Sequence, residues 1–127
     1  MEIAKILLVD DDALIRRVGE LCLSRIGNWN VVLASSGAEA LQMIPQEKPD
    51  LILLDVMMPG MDGPTVLSNL RKEEASQNTP VIFMTAKVRP EEVETYLAMD
   101  AAGVITKPFD PIQLTDEIKG ILSLVCS

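Results

Sequence analysis

Short apolar segments alternate with amphipathic segments along the whole chain. The apolar segments are mostly continuous rather than alternating in polarity, which is typical of strands that are buried on both faces. They predict five strands, at residues 3–9, 31–34, 51–54, 81–84 and 103–105. The amphipathic segments that follow these strands predict five helices.

Each predicted helix opens with residue types that favour a helix start, either an oxygen-bearing cap or a proline in the first turn. The openings are, in chain order, Asp12 before Leu14, Ser36 with Glu39 as a capping box, Pro64 after Gly63, Pro90 with Glu91 and Glu92, and Asp110 with Pro111 and Gln113.

Strands and helices that alternate in this way predict an α/β fold, with a parallel sheet covered by helices on both faces. Connections between parallel strands are nearly always right-handed, so all five strands should point their carboxyl ends to the same edge. In open sheets of this kind, ligands bind outside that edge, where the strand order reverses. The residues that follow the strands are therefore the candidate functional residues.

Charged and hydroxyl side chains follow four of the five strands. Asp10 and Asp11 end the first, Asp55 ends the third, Thr85 ends the fourth, and Lys107 follows the fifth. Carboxylates about 5 Å apart near a surface repel one another by roughly 3 kcal/mol per pair, so a compensating cation is expected. Carboxylate oxygens suit Mg²⁺, whereas Lys and Thr suit phosphoryl oxygens. The edge is predicted to hold a hard cation beside an anion.

The carboxylates are expected to have different tasks. Asp10 and Asp11 lie side by side at a turn, where they can hold the metal directly or through water. Asp55 stands alone among apolar residues and is the better candidate for a nucleophile that becomes an acyl phosphate. The thioether of Met57 is too soft for Mg²⁺, but its backbone carbonyl is a possible ligand. Asp62 is expected to belong to the turn that follows.

Each of these residues also has a simpler interpretation. Acidic residues at a helix start are common caps, and Asp12 is better explained as a cap than as a ligand. Thr85 alone would be a satisfied strand-end hydroxyl, and Lys107 alone a solvated surface charge. A lone Asp55 after four apolar residues is harder to explain, because carboxylates are rarely buried unpaired. Their joint occurrence at one edge favours the functional interpretation.

Length and composition indicate one domain, residues 1–127, with a real hydrophobic core. The net charge of −8 argues against binding to nucleic acid or to an anionic membrane surface. Cys22 and Cys126 form no disulfide framework, and free thiols in a reducing cytosol fit them best. No signal peptide or membrane-spanning run is present, so a soluble cytoplasmic protein without membrane insertion is expected.

Four motifs in this order and spacing resemble one known family. ILLVDDD, LILLDVMMPGMDG, VIFMTA and TKPFDP are similar to the motifs of the receiver domain of two-component response regulators, to which the chemotaxis response regulator belongs. The resemblance covers essentially the whole chain. It implies a flavodoxin-like three-layer α/β/α sandwich whose five parallel strands have the order 2-1-3-4-5.

The resemblance also implies site roles. Asp10 and Asp11 would form the acidic pair that binds Mg²⁺ (or Mn²⁺), and Asp55 and the Met57 carbonyl would complete the ligand set. Asp55 would also be the phosphoacceptor.

The remaining expected roles concern the phosphoryl group. Thr85 would hydrogen-bond it, and Lys107 would form an ion pair with Asp55 or its phosphate. The bond between Lys107 and Pro108 is expected to be cis. One position departs from the family pattern: the aromatic residue that often lies three positions before the Lys is Val104 here. Switching by movement of a large ring at that position is therefore not available.

Function follows from the resemblance. A histidine kinase or phosphotransfer protein would transfer its phosphoryl group to Asp55, and water would later hydrolyse the acyl phosphate along a route flanked by Met57 and Lys87. The added charge would draw Thr85 inward and repack the face of helix four, strand five and helix five. A downstream output protein or a second receiver would dock there. Residues near that face are Val93, Tyr96, Leu97 and Met99.

Three other functions fit the sequence less well. A haloacid-dehalogenase-like phosphatase fits poorly, because Met57 occupies the position of its usual general acid. A flavodoxin-like electron carrier would need a phosphate loop after strand one and stacking aromatics. A nonphosphorylated interaction module usually lacks one of the acidic residues or the Lys of this site, whereas this sequence has all of them. No output domain is expected within this chain, which would be a stand-alone receiver or one cut from a larger regulator, with stand-alone favoured by Met1 and the short tail.

Overall fold

Five parallel strands form one sheet in the computed structural model, which describes residues 3–86 and 89–125. The strands are β1 (Lys5–Val9), β2 (Asn30–Ala34), β3 (Leu51–Asp55), β4 (Val81–Thr85) and β5 (Gly103–Thr106). Their order across the sheet is β2-β1-β3-β4-β5, and every neighbouring pair is parallel. The predicted fold class and strand order are confirmed.

One helix follows each strand, and the helices cover both faces of the sheet. They are α1 (Ala13–Arg25), α2 (Gly37–Glu47), α3 (Gly63–Leu70), α4 (Pro90–Ala98) and α5 (Leu114–Val125). Within the described residues, no helix is both long enough and apolar enough to cross a bilayer.

Two hydrophobic clusters fix these helices to the sheet. α1 and α5 pack on one face with Ile6 and Leu8 of β1, whereas α2, α3 and part of α4 pack on the other face with Leu7 and Val9. Successive residues of β1 thus point into opposite clusters, and all four are almost fully buried. Burial on both faces explains why the strands are continuously apolar.

Side-chain caps fix the starts of three helices; the sequence predicts two of them, at Asp12 and Ser36, whereas Asp62 was expected to belong to the preceding turn. The Asp12 carboxylate accepts a hydrogen bond from the backbone N–H two residues later, at 2.8 Å. The Ser36 hydroxyl accepts one from the N–H of Glu39 at 3.1 Å, and the Asp62 carboxylate accepts one from the N–H of Thr65 at 2.9 Å. Each cap satisfies an N–H group that has no partner inside its helix.

The start of α5 differs from the prediction. The sequence predicts a helix that opens at Pro111, but the regular helix begins at Leu114. Asp110 holds the intervening turn: its carboxylate accepts from the N–H of Ile112 at 2.9 Å, and its carbonyl accepts from the N–H groups of Gln113 at 3.1 Å and Leu114 at 2.9 Å. The bond from the Leu114 N–H spans four residues as in a helix, so Asp110 makes the predicted capping contacts, and the regular helix follows the turn at residues 111–113.

Trp29 lies at the opposite edge of the sheet from the strand ends. It precedes Asn30, which pairs with Lys5 at the first residue of β1. Its indole packs against the cluster of the α1 and α5 face, and the Lys119 ammonium lies 6.0 Å from the ring centroid. The single tryptophan therefore belongs to the amino edge.

Cys22 is buried in α1, and it is a free cysteine in the part of the chain that the structure describes. Burial raises the pKa of its thiol. Cys126, the other predicted free thiol, lies outside the described residues.

Candidate functional site

Three carboxylates meet at the carboxyl edge of the sheet. One oxygen each from Asp10, Asp11 and Asp55 lies within 4.8 Å of the others. Register explains the meeting, because Val9 pairs with Leu54 and the residues that follow them are Asp10 and Asp55. Asp10 is fully buried and Asp55 is 3% exposed, whereas Asp11 is exposed. The structure thus brings together the three carboxylates that the sequence selects.

Lys107 is the cation among these carboxylates. Its Nζ lies 2.9 Å from Oδ2 of Asp10 and 3.1 Å from Oδ1 of Asp55. Its backbone N–H donates to the Thr85 carbonyl at 2.8 Å, which ties the loop after β5 to the end of β4. The Lys107–Pro108 bond is cis, as expected. The ion pair with Asp55 was expected, but the second ion pair with Asp10 was not.

Asp10 is held by donors on three of its oxygens. Oδ1 accepts from the N–H of Asp12 at 2.9 Å, Oδ2 accepts from Lys107, and the carbonyl accepts from Nη1 of Arg16 at 2.8 Å. The role of Arg16 was missed from the sequence, because an arginine in the first turns of a helix is common and carries no specific signal. The bonds from Asp12 and Lys107 fix the position of the Asp10 carboxylate, and the bond from Arg16 fixes its backbone carbonyl.

The Asp55 carboxylate is destabilised when it is ionised. Burial and the negative charge of Asp10 raise its pKa to about 6, while Lys107 and the N–H of Met57 oppose that rise. Oδ1 carries both of these favourable contacts, with Lys107 at 3.1 Å and the Met57 N–H at 3.3 Å.

The Lys107 ammonium remains charged in this setting. Burial lowers its pKa, but the hydrogen bonds and negative charges of Asp10 and Asp55 outweigh burial and raise the pKa above its ordinary value. A permanent positive charge is therefore held beside Asp10 and Asp55.

Met57 and Thr85 lie on the side of the pocket that faces α4. The Met57 side chain is 76% exposed, whereas Thr85 is buried at the last position of β4. Both residues line a cavity of about 580 Å³. Lys87, the other residue expected to flank the route of water, lies outside the described residues.

The donor set suits a hard divalent cation. Three carboxylates face one ammonium, so the pocket keeps excess negative charge even with the Arg16 guanidinium nearby. Oxygen ligands of this kind are those that Mg²⁺ and Mn²⁺ prefer. Asp10, Asp11 and Asp55 are the residues of the described chain that fit such an ion.

The alternative functions gain no support from this geometry. The Met57 position expected of a phosphatase general acid carries a solvent-exposed thioether. The only tryptophan lies at the amino edge, away from the carboxylates, so it cannot stack on a flavin bound at this pocket.

Known proteins resemble this chain along nearly its whole length. The family model "Response regulator receiver domain" matches residues 6–119. The probable transcriptional regulator ycf27 of Porphyridium aerugineum is 42% identical over 125 residues, which cover 98% of this chain and 50% of the relative. The alkaline phosphatase synthesis regulatory protein PhoP of Bacillus subtilis is 40% identical over 118 residues, 93% of this chain and 48% of the relative.

Solved structures give the same likeness. The chemotaxis protein CheY4 of Vibrio cholerae superposes with a TM-score of 0.87 at 32% identity, covering 94% of this chain and 99% of that protein. A receiver domain of a signal transduction histidine kinase from Syntrophus aciditrophicus superposes with a TM-score of 0.80 at 31% identity, covering 96% of this chain and 92% of that protein. In contrast, the chain spans about half the length of the curated relatives it matches.

Proposed function

Because this chain belongs to the family of response regulator receiver domains, we propose that it takes up a phosphoryl group on Asp55 during two-component signalling. The donor would be a histidine kinase or a phosphotransfer protein in the cytoplasm. One observation carries the proposal: Lys107 bridges Asp10 and Asp55 while an oxygen of Asp11 lies within 4.8 Å of both.

The nucleophile is a carboxylate oxygen of Asp55. It attacks the phosphorus of a phosphohistidine in line with the leaving nitrogen, so an O–P bond forms as the N–P bond breaks. The donor's ring, already protonated at its other nitrogen, leaves as a neutral imidazole. Lys107 lies 3.1 Å from Oδ1 of Asp55, where it offsets negative charge during transfer. Positioning and charge stabilisation supply most of the catalysis in such reactions.

Asp10, Asp11, Asp55 and the Met57 carbonyl would hold a divalent ion. When bound, Mg²⁺ or Mn²⁺ supplies positive charge to the phosphoryl oxygens. The Asp10 carboxylate is already fixed by the Asp12 N–H and by Lys107, so it needs little reorganisation to act in this set.

Signalling would follow from the new charge beside Thr85. The phosphoryl group would accept a hydrogen bond from the Thr85 hydroxyl and draw it inward, which would bias the face formed by α4, β5 and α5. Leu97 of α4 is 47% exposed, and Val93 and Met99 are half-buried. This face would bind a downstream output protein or a second receiver, without direct binding to nucleic acid.

Intact-mass measurement after incubation with acetyl phosphate and Mg²⁺ tests the proposal. The native chain should gain one phosphate, which hydroxylamine removes because it is an acyl phosphate, and Asp55→Ala should gain none. Asp62→Ala is the matched control, since that carboxylate caps α3 and should leave the mass gain unchanged.

An unchanged mass of the native chain would exclude phosphoacceptance and leave the interaction-module interpretation. Sustained hydrolysis of phosphate monoesters would instead favour the phosphatase.

A further inference from the structure

A cavity of about 580 Å³ separates α4 from the end of β4 and from the loop after β3. Its wall on the sheet side includes Thr85, and its wall on the helix side includes Tyr96. The lining residues are Val56, Met57, Thr85, Ala86, Glu92, Thr95 and Tyr96. Any inward movement of the Thr85 side chain therefore changes the space that is available to Tyr96.

Tyr96 is one of two side chains that attach α4 to the core. α4 has no fully buried residue, and of its side chains and that of its C-cap, only Tyr96 and Met99 pack against the adjoining hydrophobic cluster. A helix with so few buried contacts can shift its position at small energetic cost. The position of α4 therefore depends strongly on the position of the Tyr96 ring.

The Tyr96 ring rests on Phe83. The two ring centroids are 4.9 Å apart with an interplanar angle of 57°, an arrangement that aromatic pairs favour. Phe83 is fully buried and precedes Thr85 by two residues of β4, so both side chains point to the same face of the sheet. Phe83 thus provides a fixed surface on which the Tyr96 ring can move toward Thr85.

The neighbouring strand offers no ring for this face. Val104 pairs with Phe83 in the β4–β5 register and is only half-buried. Its β-branched side chain has few rotamers and little reach. Phe109, the aromatic residue that follows the cis bond, packs in the cluster on the opposite face. Among the described residues, Tyr96 is the partly buried aromatic side chain that shares a cavity with Thr85.

We propose that Tyr96 is a positioning residue that couples phosphorylation of Asp55 to α4, its ring moving along Phe83 into the cavity when Thr85 is drawn inward. The inference rests on the proposed function, and it assigns to Tyr96 the mobile aromatic ring that Val104 cannot provide. The coupling element is therefore carried by α4 itself rather than by β5.

The Tyr96 hydroxyl is expected to stay neutral during this movement. Burial raises the pKa of Tyr96, and the nearby carboxylates of Glu92 and Asp62 raise it further. The ring can therefore enter the space beside a newly charged Asp55 without bringing a second negative charge.

A single fluorine reporter tests the movement, because Tyr96 is the only tyrosine in the chain. The full chain is labelled with 3-fluorotyrosine, and its ¹⁹F resonance is followed as beryllofluoride and Mg²⁺, which mimic the acyl phosphate, are added. A new resonance should appear in the native chain and be absent in Asp55→Asn. A native resonance that stays unchanged while intact-mass data show phosphate uptake would overturn the inference and leave the proposed function standing.

Variants separate the ring from the hydroxyl. Amide chemical-shift changes of Val93 and Leu97 on addition of beryllofluoride should fall about threefold or more in Tyr96→Leu and persist in Tyr96→Phe. Leu97→Ala, a change on the exposed side of the same helix, is the control and should keep the response at Val93. Phosphate uptake should be unchanged in all three variants.

Placing an aromatic ring on β5 in place of the one on α4 gives a second test. Tyr96→Leu combined with Val104→Tyr should regain the response that the single variant loses, because a ring again reaches the cavity. A full response in Tyr96→Leu would overturn the inference. Absence of phosphate uptake by the native chain would overturn the proposed function and the inference together.

Discussion

The Asp55 carboxylate lies where burial and a negative neighbour disfavour its ionised form. Its pKa is raised to about 6 by burial and by Asp10, well above the value expected for an unfolded chain. Because the folded-state pKa is the higher one, this group stabilises the fold below pH about 4, and that stability is lost as the pH rises through about 6. Above that pH the ionised carboxylate costs up to about 3 kcal/mol, since two pKa units correspond to that energy.

Titration of Asp55 should show this directly. In the metal-free chain its side-chain ¹³C carboxyl resonance should titrate with a midpoint near pH 6. Asp10→Asn should lower the midpoint of Asp55, because it removes a negative neighbour. Lys107 then forms an ion pair with Asp55 only. Saturating Mg²⁺ should lower it as well. A native midpoint near the ordinary carboxyl value would contradict the geometry described here.

Neutralising Asp55 should stabilise the metal-free fold. At pH 7.5, Asp55→Asn should raise the free energy of unfolding by about 1–3 kcal/mol, measured by urea denaturation with a chelator present. Mg²⁺ should then stabilise the native chain more than the variant, because the variant lacks one ligand.

Asp116→Asn, an exposed carboxylate on α5, is the matched control and should change stability by no more than about 0.5 kcal/mol. A metal-free Asp55→Asn chain that is less stable than the native chain would show that the Lys107 contact outweighs burial.

At the scale of the elements, periodicity was enough to predict the strands, the helices and most caps. Continuous apolar runs predicted the five strands. Asp12 and Ser36 cap α1 and α2 as predicted, whereas Asp62, expected in the preceding turn, caps α3. The predicted start of α5 at Pro111 was wrong, because residues 111–113 form a turn rather than regular helix although Asp110 makes the expected capping contacts. Local signals such as Pro111 cannot distinguish the two.

Pairwise contacts between elements were harder to predict. Register explains why Asp10 meets Asp55, but the second ion pair of Lys107 depends on a side-chain conformation that no spacing encodes. Arg16 reaches the Asp10 carbonyl for the same reason. The contact between Tyr96 and Phe83 was also unpredicted, because it depends on how α4 packs over β4.

Among the three consecutive aspartates, substitutions should distinguish Asp12, which caps α1, from Asp11, which is a proposed metal ligand. Asp12→Ala should lower the free energy of unfolding by about 1 kcal/mol, the usual cost of losing an N-cap, and change Mg²⁺ affinity by about twofold or less. Asp11→Ala should have the opposite pattern, with stability of the metal-free chain unchanged or increased and Mg²⁺ affinity reduced at least about tenfold. Urea denaturation and calorimetric Mg²⁺ titration measure the two effects. A large loss of affinity in Asp12→Ala would make that residue a ligand.

For the whole molecule, the parallel sheet collects the reactive groups at one edge of a chain with a net charge of −8. An anionic substrate must therefore approach against a negative field, which Lys107 and Arg16, among the described residues, and a bound cation oppose locally. Repulsion of this kind is screened by salt, with a Debye length that falls from about 20 Å to about 8 Å between 20 and 150 mM.

Phosphorylation by acetyl phosphate should accordingly speed up with ionic strength. At saturating Mg²⁺, the rate should rise about twofold or more between 20 and 150 mM KCl. Phosphoramidate, which carries less negative charge, is the matched donor and should show a smaller rise. Intact-mass time courses measure both rates. A rate that falls with added salt would indicate a positive potential at the mouth of the pocket.

The position of Trp29 offers a practical advantage for such measurements. A strand of five residues spans about 16 Å, and Trp29 precedes β2 at the amino edge, so its backbone lies roughly that far from the carboxylates along the sheet. Its fluorescence should therefore report denaturation and remain silent when ions or phosphate occupy the opposite edge. Emission from this one native fluorophore would give unfolding curves at any Mg²⁺ concentration without correction for ligand quenching.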